Sequence, residues 1–180
     1  MQRRKLAKLA WIGFLISLPL FVLLCGCGAS VPNLFPIAAG QSSSITDPAA
    51  QQVLTLTNQE RTKIGLSALK WNSLLAASGA DHCQDMIDKN YFAHVSPDGT
   101  SPGDRATAAG YKWSWIGENI AAGYATPQDV MTGWMNSPEH KENILRPEFT
   151  ELGLGIRTDT DGRIYWAQEF GTPSTTTGWQ

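Results

Sequence analysis

Disulfides, long apolar runs and basic clusters are all scarce in this chain. Of its three cysteines, two stand at positions 25 and 27, so the remaining sequence has a single thiol, Cys83, and cannot close an internal disulfide. A small disulfide-stapled scaffold is thereby excluded. The longest apolar run, Trp11–Leu24, is short for a membrane-spanning helix and is interrupted by Pro19. Charged residues make up 17%, and Arg3, Arg4, Lys5 and Lys8 precede residue 27 with no acidic residue among them. The ten basic residues beyond them face 16 acidic ones, so the chain from residue 27 carries −6 where the whole shows −2. That balance argues against a nucleic-acid partner and against recruitment by anionic lipid charge. What is present is 180 residues, 42% of them hydrophobic, enough for one well-buried domain and hardly two.

The basic stretch, the apolar run and the small residue Gly26 read together as a secretory signal over residues 1–26. Its end, Leu24-Cys25-Gly26-Cys27, resembles a bacterial lipobox. Cleavage after Gly26 would leave Cys27 to take a diacylglyceryl group and further acyl chains such as palmitate, and so to anchor the protein in a membrane. Cys25 would need cleavage after the bulky Leu24. Residues 28–46 carry no charge, two prolines and a serine run, and read with Cys27 as a tether, residues 27–46. Nineteen flexible residues span roughly 25 Å on average and about 60 Å at full stretch.

Asp47-Pro48 predicts a helix start, with Val53, Leu54, Thr57, Arg61 and Ile64 at helical spacing up to Gly65. Leu66–Trp71 reads as a connector, and Asn72 as the cap of a second helix reaching about Lys89. His82 and Cys83 lie on its apolar stripe, so each reads first as a core residue, with ligand and nucleophile as the alternatives. Ser101-Pro102 opens a short helix ending at Gly110. Residues 111–116 alternate large and polar side chains and predict a strand leading into Gly117-Glu118-Asn119. Helices follow from Thr126-Pro127 to Met135 and from Ser137-Pro138, the second carrying His140. Period-two runs at Leu152, Leu154, Ile156 and at Ile164, Trp166, Gln168, Phe170 flank Asp161-Gly162 and predict an antiparallel hairpin. Gly153 and Gly155 leave its other face bare for a close approach. The order of elements fits an α+β domain better than a parallel doubly wound sheet.

Asn58-x-x-Arg61, Leu69-x-Trp71, Tyr91-Phe92-x-His94-x-Ser96-x-Asp98-Gly99, Gly117-Glu118-Asn119-Ile120-Ala121, Trp134-x2-Ser137-x2-His140-x2-Asn143-Ile144-Leu145 and Tyr165-Trp166-Ala167-Gln168-x-Phe170-Gly171 occur in that order. In this the chain resembles the bacterial branch of the CAP superfamily, named for cysteine-rich secretory proteins, antigen 5 and pathogenesis-related proteins. The resemblance covers about residues 48–171. It implies a three-layer α-β-α sandwich with a central antiparallel sheet and a surface cleft, over a domain of residues 47–171 with a tail at 172–180. Together with the lipobox-like end of the leader, it gives the expected location as the bacterial cell envelope, lipid-anchored and extracytoplasmic. Eukaryotic members gather two His and two Glu in the cleft, where a divalent metal such as zinc has been seen. His94 and Glu118 fall on the first of each, whereas Ser137 and Tyr165 replace the second Glu and the second His. His140 belongs to the bacterial pattern and could return an imidazole to the cleft.

His94, Glu118 and His140 stand 24 and 22 residues apart, so no compact metal motif supports them. Two readings stay open: a three-ligand divalent site with a free position, or a metal-free hydrogen-bonded cluster. The expected ligand-binding set is His94, Glu118, His140, Asn119 and Gln168, the last from its inward strand position, where it could equally satisfy backbone groups. Trp113 and Trp115 are the candidate surface aromatics. Ser67-x-x-Lys70 lacks the partner motifs of penicillin-binding enzymes, no Gly-x-Ser-x-Gly elbow occurs, and the loop at Asp159–Gly162 lacks a calcium site's outer carboxylates. The leading function is a non-enzymatic binding module for a lipid, glycan or wall component. The alternatives are a hydrolase using Glu118 with His94 or His140 as general base and acid, and a purely structural interaction module.

Overall fold

The computed structural model describes residues 45–175. The signal, Cys27, nearly all of the tether and the last five residues of the tail lie outside the described residues. Among the described residues no helix is long and apolar enough to cross a membrane.

Helix α1 (Pro48–Lys63) starts where Asp47 Oδ1 accepts the amides of Ala49 and Ala50, and it buries Ala50, Val53, Thr57 and Arg61 along one stripe. Asn72 caps helix α2 (Ser73–Asp88) in the same way, through Leu74 and Leu75. Three short helices follow: α3 (Pro102–Ala108), α4 (Pro127–Asn136) and α5 (Pro138–Ile144). The Ser101/Asp104 pair forms a full reciprocal capping box at α3, while Thr126 at α4 accepts the Asp129 amide.

Strands β1 (Lys70–Trp71), β2 (Trp113–Ala122), β3 (Glu151–Thr158) and β4 (Ile164–Pro173) form one sheet in the order β1-β3-β4-β2. The β3/β4 and β4/β2 pairs are antiparallel, and β1 joins the β3 edge in parallel. Helices α2 and α3 cover one face and α1, α4 and α5 the other, which is the expected α+β three-layer sandwich. Gly153 and Gly155 admit α2 onto β3: a Cβ on either would stand 2.1 Å from a helix amide nitrogen, that of Ala76 or Ala80. The main apolar core lies on the other face, around Val53, Trp134, Ile144, Leu152, Trp166 and Phe170.

Two boundaries differ from the sequence reading. Leu66–Trp71 is not all connector, because Lys70 and Trp71 pair with Glu151 and Leu152, a long-range contact without local periodicity. The strand beginning near Tyr111 also runs on through Gly117-Glu118-Asn119 to Ala122, since β4 pairs with it throughout. Asn58 and Arg61 tie this frame together. Asn58 bonds both the amide and the carbonyl of Leu69, and the buried Arg61 guanidinium donates to the carbonyls of Ser67, Ile144, Arg146 and Phe149.

Candidate functional site

Glu118 pairs with Glu169, and Asn119 with Gln168, on successive rungs of the β2/β4 ladder. Successive residues of a strand point to opposite faces, so the expected ligand set divides between the two sides of the sheet. Asn119 and Gln168 are fully buried on the α1/α4/α5 side. Asn119 donates to the Gln168 side-chain oxygen (3.1 Å) and the His140 carbonyl (3.1 Å), Gln168 donates to Thr57 Oγ1 (2.8 Å), and Asn143 donates to Asn119 (3.0 Å) and to the Glu118 carbonyl (3.1 Å). These amides join α1, α5 and the sheet, on the face opposite the Glu118 side chain.

The other rung is charged. The Glu118 side chain is 1% exposed. Its Oε1 accepts from His94 Nδ1 at 2.6 Å and its Oε2 from Arg105 at 2.7 Å, with His82 Nε2 3.7 Å away. His94 comes from the loop between α2 and α3, which is clamped from both helices. Arg105 donates to the carbonyls of His94 (2.9 Å) and Thr100 (3.1 Å), His82 Nε2 donates to the Ala93 carbonyl (3.0 Å), and the Tyr91 hydroxyl sits 2.5 Å from Asp85 and 2.9 Å from Ser96. His94 emerges half-exposed, between the exposed side chains of Phe92 and Val95.

Beneath Glu118 lies Glu169, wholly buried, neither of whose oxygens meets a donor among the described residues. Burial first, then the adjacent Glu118 charge, raise the Glu169 carboxyl well above the ordinary glutamate range, against a smaller opposing effect of Arg105. A neutral Glu169 supplies its own donor, directed at Glu118. Burial works to raise Glu118 as well, but the hydrogen bonds from His94 and Glu169 and the charges of His82 and Arg105 overcome it, and Glu118 titrates below the ordinary range. Burial lowers His82, with Glu118 opposing. The opposed directions favour the proton on Glu169 and the negative charge on Glu118, whose Oε2 faces the Arg105 cation.

His140 stands apart from this cluster, with no hydrogen bond to His94 or Glu118. It is partly buried, its Nδ1 has no partner among the described residues, and burial with the nearby His94 lowers its pKa. Of the two readings, the donor set does not fit the divalent metal. Both Glu118 oxygens already accept hydrogen bonds, Ser137 and Tyr165 offer no carboxylate or imidazole, and no group of three or more His, Cys, Asp or Glu among the described residues is arranged to hold a metal. Cys83 is fully buried, and its thiol is pushed up to about 12 by burial and by Glu169 and Glu118, which fits its reading as a core residue. His82 is buried and satisfied, as its core reading expects, and its Nε2 also borders Glu118.

Sequence reasoning missed Arg105 and Glu169. For Glu169 a signal existed: it alternates with inward-facing Gln168 and Phe170, and so faces the side that the bare Gly153 and Gly155 open to a helix. Arg105 had none, because a lone arginine on a short helix looks like a solvated charge until its partner is known.

The family model for CAP, described as the cysteine-rich secretory protein family, matches residues 54–170. An uncharacterized protein of Bacillus subtilis, YkwD, is 43% identical over 120 residues, covering 67% of this chain and 46% of its own length. An uncharacterized membrane protein of the same organism, YlbC, is 36% identical over 126 residues, covering 70% of this chain and 35% of its own. The chain thus spans less than half the length of these curated relatives. Among solved structures, an extracellular SCP-domain protein of Bacillus anthracis superposes with a TM-score of 0.64 at 33% identity, over 72% of this chain and 45% of that one.

Proposed function

The chain belongs to the cysteine-rich secretory protein (CAP) family, and from that premise we propose that it is a non-enzymatic binding module of the bacterial cell envelope. It is held extracytoplasmically by lipid on Cys27 and takes a lipid, glycan or wall component at the surface around His94. The closure of Glu118 carries this reading. A general base must reach the proton it removes, and this carboxylate has both oxygens occupied and a side chain 1% exposed. The half-exposed His94, flanked by exposed Phe92 and Val95, instead suits a fixed contact surface. His140 borders the same surface. The leader ending at Gly26-Cys27 supports the anchor, as do an extracellular SCP-domain neighbour and a relative named as a membrane protein.

A specific observation favours the hydrolase reading: two neighbouring carboxyls with opposed proton affinities are how acid and base roles are divided in enzymes. Native mass spectrometry of the full chain, purified from its own membrane, separates the two. The binding reading expects an acyl mass that disappears in Cys27→Ala and a non-covalent adduct that disappears in His94→Ala with the fold intact. Cleavage of wall polymer or peptide that vanishes in Glu118→Gln while the fold persists would replace it with the hydrolase.

A further inference from the structure

Away from His94, the α3 end of the edge strand β2 carries two hollows, of about 350 Å³ and about 370 Å³, within the ~300–1,000 Å³ range of small-ligand sites. Trp113 is the one residue that lines both. The first hollow adds Ser101, Asp104 and Ile116; the second adds Thr107, Lys112 and Ser174. Trp113 is 38% exposed yet seated: its Nε1 donates to the Gly103 carbonyl (3.2 Å) and to Thr107 Oγ1 (3.1 Å). The ring also rests against Gly103, where a Cβ would stand 2.7 Å from Cζ2. The pairing of β2 with β4 is irregular between Trp113 and Trp115, the kind of bulge that re-aims a side chain, and Trp115 adds a second indole at 45% exposure.

We propose that Trp113 is the shared wall of a two-subsite groove for a neutral, pyranose-based glycan. A sugar ring has a C–H face that stacks on the negative face of an aromatic ring and a rim of hydroxyls that need donors and acceptors. The groove has both: a held indole, the Asp104 carboxylate and Ser101 in one hollow, and Lys112, Thr107 and Ser174 in the other. An acyl chain would offer nothing to the Lys112 ammonium, whereas a sugar hydroxyl accepts from it, and Ser101, Asp104 and Thr107 keep spare acceptor capacity beside their own hydrogen bonds. An anionic polymer would meet a chain that carries −6 beyond its leader. This site is independent of the His94 surface.

The test is calorimetric titration of the detergent-solubilised full chain with a soluble tetramer of β-1,4-linked N-acetylglucosamine. The proposal expects saturable binding between ~10 μM and ~1 mM that weakens roughly tenfold or more in Trp113→Ala, the scale of a lost aromatic contact. Trp113→Phe, which keeps an aromatic face, should retain most of the affinity, so that a folding defect in the alanine variant does not decide the outcome. Binding should survive His94→Ala. Absence of saturable binding, equal binding by wild type and Trp113→Ala, or loss in His94→Ala alone would overturn it.

Discussion

The two rungs Glu118/Glu169 and Asn119/Gln168 are neighbours on one ladder and differ in almost everything else. The Asn119/Gln168 rung faces the large apolar core, is neutral, and satisfies its amides through Thr57, Asn143 and the His140 carbonyl. The Glu118/Glu169 rung faces α2, has one carboxyl shifted down and the other up, and reaches the surface through His94. Buried polarity thus has two uses here. A closed neutral network fixes where elements sit, whereas a charged pair balanced by Arg105 holds a surface histidine in place.

Exchanging the chemistry of the two rungs should break this contrast most severely. Gln168→Glu places a carboxylate among groups with no cation, and should cost ~4 kcal/mol or more at neutral pH by urea denaturation, with much of it recovered in acid where the carboxyl is neutral. Next comes Arg105→Ala, which leaves Glu118 without its cation and should cost ~3 kcal/mol in the same assay.

Glu169→Gln is the gentler converse, since glutamine resembles a protonated glutamate in shape. Its effect should appear as a changed slope of stability against pH. The raised Glu169 pKa means that the folded chain keeps a proton the unfolded chain has released above the ordinary glutamate range, so wild-type stability falls as pH rises through that window. The lowered pKa values of Glu118 and His82 act oppositely, and their stabilisation is lost as pH falls. Denaturation midpoints from about pH 5 to about pH 8 should therefore lose their alkaline decline in Glu169→Gln and keep their acid decline. The smallest effect belongs to His94→Ala, less than ~1 kcal/mol in stability because the ring is half-exposed, although ligand capture should be lost.

Much of the frame was legible because its signals are local. Asp47-Pro48 and Asn72 announced their helices by capping chemistry, Asp161-Gly162 announced the hairpin, and bare Gly153 and Gly155 announced a close approach, which α2 makes. Strand β1 was illegible because two residues carry no period and their partner lies about eighty positions away. The site was half legible. Motif order brought His94 and Glu118 together, and the structure joins them. The same motif put Asn119 beside Glu118, and only the extension of β2 through both residues shows that adjacency in sequence means opposite faces of the sheet. Arg105 and Glu169 are defined by what buries them, which is tertiary.

The proton held between Glu118 and Glu169 is the centre of the account, and carbon-13 NMR of glutamate side-chain carboxyls, assigned with Glu169→Gln and Glu118→Gln, reads it directly. At neutral pH the Glu169 carboxyl should carry the shift of a protonated acid and Glu118 that of a carboxylate, with Glu169 ionising only well above the ordinary glutamate range. Two ionised carboxylates at neutral pH, or the proton found on Glu118, would contradict it.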